Sequence, residues 1–159
     1  MNTQYKKGFG FGLMSGVVTT LGLIVGLDAS TGSKFVIIAG VLAIAISDSL
    51  SDAAGMHISE EAADHKKPKK VWEATIATFL FKFLFALLFV IPFLLLNIYQ
   101  ALIASMIWGF FLITAYSYFE AKKHKRDIFM QIFEHLLIAV VVVVAAYLVG
   151  KGTAMFLLV

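Results

Sequence analysis

Five side chains that can bind a metal ion follow one another at helical spacing. They are His57, Glu60, Glu61, Asp64 and His65. Residues three and four apart share a helix face, so these side chains would line one face if the helix continues this far. Carboxylate oxygen and imidazole nitrogen together suit Fe²⁺, Mn²⁺, Co²⁺ or Zn²⁺ better than Mg²⁺. We predict a metal-collecting stripe; the alternative is a solvated helix end.

Two aspartates precede this stripe inside an otherwise apolar segment. Asp48, Asp52 and Met56 are each four residues apart, a spacing that places them on one helix face. Carboxylates at membrane depth are costly unless they are paired, hydrated or neutralised, so they mark a functional site by default. We predict that both aspartates bind the metal and face a bundle interior, a cavity or a second subunit. Met56 adds a soft thioether ligand.

Lys82, Glu134 and His135 are further ionisable residues within apolar segments. Lys82 lies roughly 15 Å into the third segment, at a depth similar to that of Asp48. Two interpretations stay open: a structural Asp48–Lys82 ion pair, or a role in ion coupling. Glu134 lies in the same half of the membrane, so we place Lys82 and Glu134 on the transport path. His135 is more typical of a hydrogen-bonded packing residue.

Composition identifies an integral membrane protein. Of the 159 residues, 60% are hydrophobic and 14% are charged, well below the roughly 25% charged residues of soluble domains. The absence of cysteine excludes disulfides, thiolate metal sites and thiol nucleophiles. No nucleophile elbow, phosphate loop or metalloprotease motif occurs, so we do not expect an enzyme. The basic residues flank apolar segments, which indicates membrane topology and no nucleic-acid partner.

Five apolar segments are long enough to cross a bilayer. We predict an all-α protein with five transmembrane helices in a single domain, 1–159, with the second helix extended into a polar segment, 57–71. A hairpin is expected at Asn97 and a kink at Pro92. The predicted spans are about 8–27, 35–56, 72–96, 98–119 and 128–149.

Lysine and arginine are concentrated on one side of these spans. By the positive-inside rule, the N-terminus is cytoplasmic and the C-terminus lies outside, in a multi-pass protein of the cell membrane. Four of the lysines are expected to contact anionic lipid headgroups: Lys66, Lys67, Lys69 and Lys70.

Four glycines in the first span form two small-xxx-small pairs. Gly12 and Gly16 form one pair, and Gly22 and Gly26 form the other. Such pairs let helix backbones approach closely in lipid. Packing within the bundle is favoured over a dedicated dimer motif.

Two stretches resemble the vacuolar iron transporter family. They are SGVVTTLGLIVGL, residues 15–27, and IAGVLAIAIS, residues 38–47, followed by SDAAGMHIS. The other three spans resemble the family in number and orientation. The chain looks like a divergent prokaryotic member. The resemblance implies a five-span homodimer that exports Fe²⁺ or Mn²⁺ from the cytosol in exchange for protons, along a path between the subunits. No permanently bound cofactor is implied, and Zn²⁺ and Co²⁺ are alternative cargoes.

The chain departs from the family at its motif positions. Ser15 stands where the family has its first-span aspartate. In one register of the second-span motif, Asp52 replaces the methionine and Met56 the glutamate. In the other, Asp48 stands at the methionine and Asp52 at the glutamate. Both registers place Asp52 at a functional position, and the segment that follows is shorter than the family's metal-binding domain.

The leading hypothesis is a divalent-metal transporter in which the stripe collects metal and passes it to Asp52 and Asp48. Without the first-span aspartate, Lys82 or Glu134 would carry the coupled proton. The alternative is a non-transporting membrane scaffold or sensor that binds metal or a partner through residues 57–65.

Overall fold

Six α-helices form five membrane-length segments in the computed structural model. The structure describes residues 3–63 and 67–157, and these residues contain no strand. The helix between residues 68 and 88 and the short one after it together make the third segment. The predicted all-α class with five spans is confirmed. The bounds are α1 Thr3–Thr31, α2 Lys34–Ala63, α3 Pro68–Leu88, α4 Val90–Leu95, α5 Ile98–His124 and α6 Ile128–Leu157.

Helix α1 lies at the centre of the bundle, where α2, α3, α5 and α6 all pack against it. Its glycines allow this. A Cβ at Gly12 would lie 2.8 Å from the backbone nitrogen of Lys82 in α3, and one at Gly22 would lie 2.9 Å from Cγ1 of Val142 in α6. Both small-xxx-small pairs therefore serve packing within one chain, as predicted.

The third segment breaks at Phe89, between α3 and α4. Pro92 lacks a backbone N–H, and its ring crowds the carbonyl four residues earlier, at Leu88. At the break, the Phe89 N–H donates a hydrogen bond to the Ala86 carbonyl, three residues earlier, at 3.1 Å. The Phe89 and Phe93 rings are fully buried. The helix is thus interrupted at Phe89, within one turn of the kink predicted at Pro92.

The hairpin between α4 and α5 forms where the sequence predicts it. The Asn97 side chain caps α5 by accepting a hydrogen bond from the Gln100 N–H at 3.0 Å. Lys34, at the start of α2, donates to the Leu96 carbonyl at 2.8 Å. This hydrogen bond connects the start of α2 to the loop between α4 and α5.

One end of the bundle, the basic end, gathers the start of α1, the end of α2 and the start of α3. Lys7 contacts Glu60 there at 2.8 Å. The predicted extension of the second helix is confirmed as far as Ala63. Location of the basic end in the cytoplasm stays a prediction.

Candidate functional site

Asp48, Asp52 and Lys82 meet at the interface of α2 and α3. The Lys82 Nζ lies 2.6 Å from Asp48 Oδ2 and donates a hydrogen bond to Asp52 Oδ2. Four-residue spacing on α2 places both carboxylates beside the same ammonium. The structure contains the Asp48–Lys82 ion pair that the similar depth of these two residues suggested. It adds Asp52 as a second partner of Lys82.

Ser15 of α1 completes this group. Its hydroxyl donates to Asp52 Oδ2 at 2.6 Å and accepts from the Lys82 ammonium at 2.9 Å. We call Ser15, Asp48, Asp52 and Lys82 the Asp–Lys cluster. By the family resemblance, Ser15 stands in the place of a lost aspartate ligand. No pattern in the sequence indicated that a hydroxyl there bridges the lysine and an aspartate.

Burial differs sharply among the charged members of the Asp–Lys cluster. Lys82 is only 2% exposed, whereas the Asp48 and Asp52 side chains are 30% and 24% exposed. Two carboxylates and one ammonium give the ionised cluster a formal charge of −1. The Asp48 Oδ2 atom is itself buried, and it makes a close ionic contact with the Lys82 ammonium. The cluster thus combines a buried cation with carboxylates that retain access to the outer surface of α2.

The surface of α2 beside the two aspartates is built from small residues. Ser47, Ser51 and Gly55 lie one turn apart and are exposed. A Cβ added at Gly55 would meet nothing within 4 Å. Lipid tails cannot hydrogen-bond the partly exposed carboxylates next to this surface. Water or a polar protein surface must therefore cover this edge of α2.

The metal-collecting stripe divides between two neighbours. His57 contacts Thr75 Oγ1 through Nδ1 at 3.1 Å, and its ring packs edge-on against Trp72, with centroids 4.7 Å apart. Both partners belong to α3. Met56, half-buried on the turn after Asp52, continues the aspartate face.

Glu60 faces α1. It pairs with Lys7 and accepts a hydrogen bond from Gln4 at 2.8 Å, while Glu61 is exposed. Within residues 3–63 and 67–157, no three histidine, aspartate or glutamate side chains lie close enough to hold a metal ion. The described members of the stripe, His57, Glu60 and Glu61, therefore do not form one ligand set. Asp64 and His65 lie outside the described residues, so their part in the stripe stays a prediction.

Glu134 lies on the outer side of α6 and is exposed. Helix α6 packs against α1 and α5, and no described contact joins Glu134 to the Asp–Lys cluster. Its place on the transport path stays a prediction that this arrangement does not support. The neighbouring His135 meets Ser117 Oγ of α5 through Nδ1 at 2.7 Å, as a packing histidine would.

The basic residues proposed to contact headgroups begin α3. Lys67, Lys69 and Lys70 are exposed there, and Lys66 lies outside the described residues. Headgroup contact by all four stays a prediction.

A comparison with protein families finds that the model of the VIT family matches residues 56–151. The match begins at Met56, covers α3 to α5 and ends within α6, so it takes in more than half of the chain. It therefore lies mainly on the spans whose resemblance was only general, and it overlaps the second-span motif at residues 56–59 alone. No curated protein and no solved structure matches the chain.

Proposed function

The chain belongs to the VIT family of membrane metal transporters, and we propose that it moves Fe²⁺ or Mn²⁺ across the membrane. Five apolar helices make it a multi-pass membrane protein. We further propose, from the resemblance in the first two spans, that it exports metal from the cytosol of a prokaryotic cell in exchange for protons. The cell membrane is its proposed location.

The observation that carries this proposal is the placement of Asp48 and Asp52 around one cation. Both lie well inside α2, where an ionised group needs a compensating charge or water. Their side chains stay partly exposed, so an ion can reach them from the α2 surface. Met56, one turn further along, offers a thioether that suits Fe²⁺ better than Mg²⁺. The path would run from the basic end past Met56 to the two aspartates.

The small surface formed by Ser47, Ser51 and Gly55 is proposed to pack against a second copy of the chain. Small residues let two helices approach until their backbones touch. A second copy there would also cover the exposed edge of Asp48 and Asp52 and enclose the path. This homodimer rests on the resemblance and on the polar surface of α2.

A leucine at Gly55 is expected to convert the dimer into a monomer. The site is open in the single chain, so Gly55→Leu leaves the folded subunit intact while it separates the two α2 helices. Size-exclusion chromatography with light scattering in detergent measures the mass. Gly152→Leu is the matched control, because Gly152 is equally open but lies near the end of α6. A Gly55→Leu protein that remains dimeric contradicts this interface.

Transport itself is tested with the purified protein in sealed proteoliposomes. We expect Fe²⁺ and Mn²⁺ to cross faster than in protein-free vesicles, and we expect an opposed pH gradient to increase the rate. Co²⁺ and Zn²⁺ serve as competing substrates. Flux of none of the four ions would contradict the proposal, and flux that ignores the pH gradient would remove proton exchange from it.

One observation favours the non-transporting scaffold or sensor. Lys82 already occupies the cation position between the carboxylates, as a structural ion pair would require. Metal binding without flux across the vesicle membrane would select this second function. Binding accompanied by flux would exclude it.

A further inference from the structure

We propose that the Lys82 ammonium is a tethered counter-cation, which holds the metal position in the resting protein and yields it only to a divalent ion. The identity of the displacing ion rests on the proposed function. The role of Lys82 in the empty site rests on the contacts of the Asp–Lys cluster alone.

The surroundings of Nζ are those of a bound cation. Three oxygen atoms from two helices approach it: one from Asp48, one from Asp52 and the hydroxyl of Ser15. Two of these atoms carry negative charge, and the third belongs to a neutral group that also donates to Asp52. A metal ion placed between the carboxylates would compete with the ammonium for the same oxygens.

The main chain at Lys82 is held against α1. A Cβ at Gly12 would lie 2.8 Å from the Lys82 nitrogen, and one at Gly16 would lie 3.1 Å from its carbonyl oxygen. This close packing fixes the Lys82 backbone at a distance from which the extended side chain reaches the two carboxylates. A tethered group of this kind acts at an effective concentration of about millimolar or more. A free ion must bind the carboxylates more favourably than this tethered ammonium does in order to occupy the site.

Charge decides which ions can do so. With Lys82 in place, Asp48 and Asp52 keep one uncompensated negative charge. A monovalent ion that replaced the ammonium would leave that same charge, and it would also free a lysine cation from its partners. A divalent ion neutralises both carboxylates, and this gain offsets the displacement of the lysine. The tether therefore selects against Na⁺ and K⁺ without any size filter.

The displaced ammonium leaves Ser15 to position the site. The Ser15 hydroxyl keeps its hydrogen bond to Asp52 when Lys82 moves away, because it is the donor in that bond. Serine at position 15 thus orients Asp52 without adding charge, whereas a third carboxylate there would make the site more negative. The lysine and the serine belong to one arrangement, in which Lys82 limits the charge of the empty site to −1 and Ser15 adds none.

The test compares Co²⁺ binding to the purified wild type and to Lys82→Gln by calorimetry. We expect Lys82→Gln to bind Co²⁺ about ten-fold more tightly or better, because a competing buried charge is removed. We also expect NaCl to weaken Co²⁺ binding to Lys82→Gln but to change wild-type binding much less. Lys151→Gln, which removes an exposed lysine from α6, controls for the loss of overall charge. Unchanged or weaker Co²⁺ binding by folded Lys82→Gln overturns the inference.

A second pair of variants covers the case in which Lys82→Gln does not fold. Asp52→Asn leaves Lys82 paired with Asp48 and is expected to bind Co²⁺ poorly. Adding Lys82→Gln restores the resting charge of −1 and is expected to recover binding. No recovery in the folded double variant overturns the inference. Absence of wild-type flux, in contrast, removes the proposed function and leaves the role of Lys82 to be decided by these binding measurements.

Discussion

Metal flux through the Asp52→Asn protein is expected to fall by about 30-fold or more, close to the rate in empty vesicles. Asp52 accepts hydrogen bonds from both Lys82 and Ser15, so it is the most connected carboxylate of the Asp–Lys cluster. Loss of one carboxylate partner by a buried, hydrogen-bonded cation costs about 2–5 kcal/mol. The asparagine also brings the charge of the cluster from −1 to zero, which leaves no net attraction for a metal. Initial rates of Mn²⁺ uptake into proteoliposomes measure the effect.

Asp28→Asn is the control for this substitution. Asp28 also lies on a spanning helix and is half-buried, but it lies near the end of α1 that is remote from the Asp–Lys cluster. Its flux should equal that of the wild type. Chromatography must show that Asp52→Asn is folded and has the wild-type mass. Wild-type flux through such a protein would exclude Asp52 from the path.

The second large effect is expected from Gly12→Ala, which should destabilise the protein and misplace the Asp–Lys cluster. The added Cβ would lie 2.8 Å from the Lys82 nitrogen and 3.0 Å from the Thr78 carbonyl oxygen. Both are backbone atoms, so α1 and α3 must move apart. Overpacking of this kind costs about 1–3 kcal/mol. Thermal unfolding in detergent, followed by tryptophan fluorescence, should show a lower midpoint, and flux should fall as Ser15 moves away from Lys82.

Gly152→Ala provides the comparison, because an added Cβ there meets nothing within 4 Å. We expect it to keep the wild-type unfolding midpoint and flux. If Gly12→Ala also kept both, the close approach of α1 and α3 would not be what positions Lys82.

The spans could be predicted because a helix in lipid must satisfy its own backbone hydrogen bonds. Long apolar segments therefore give helices almost regardless of their neighbours. Pro92 and Asn97 act on the chain within a few residues, by removing a donor and by capping a helix. Both features lie where the sequence indicates.

The metal-collecting stripe shows where this reasoning fails. Side chains three residues apart on a helix diverge by about 60°, so neighbours on either side can compete for them. Thr75 and Trp72 of α3 bind His57, while Lys7 of α1 binds Glu60. Helical spacing alone could not foresee these partners, because they come from distant parts of the chain.

By itself, the sequence determined the membrane class, the five helices, the common depth of Asp48 and Lys82, and the glycines that let α1 occupy the centre. These follow from hydrophobicity, helical rise and side-chain size, which are local properties. Only the tertiary structure decided that Asp52 and Ser15 join the same ammonium, because that contact needs three helices at particular rotations. Rotation about a helix axis is set by packing against neighbours, and in this chain Gly12 and Gly16 bring α1 close enough to α3 for the contact to form.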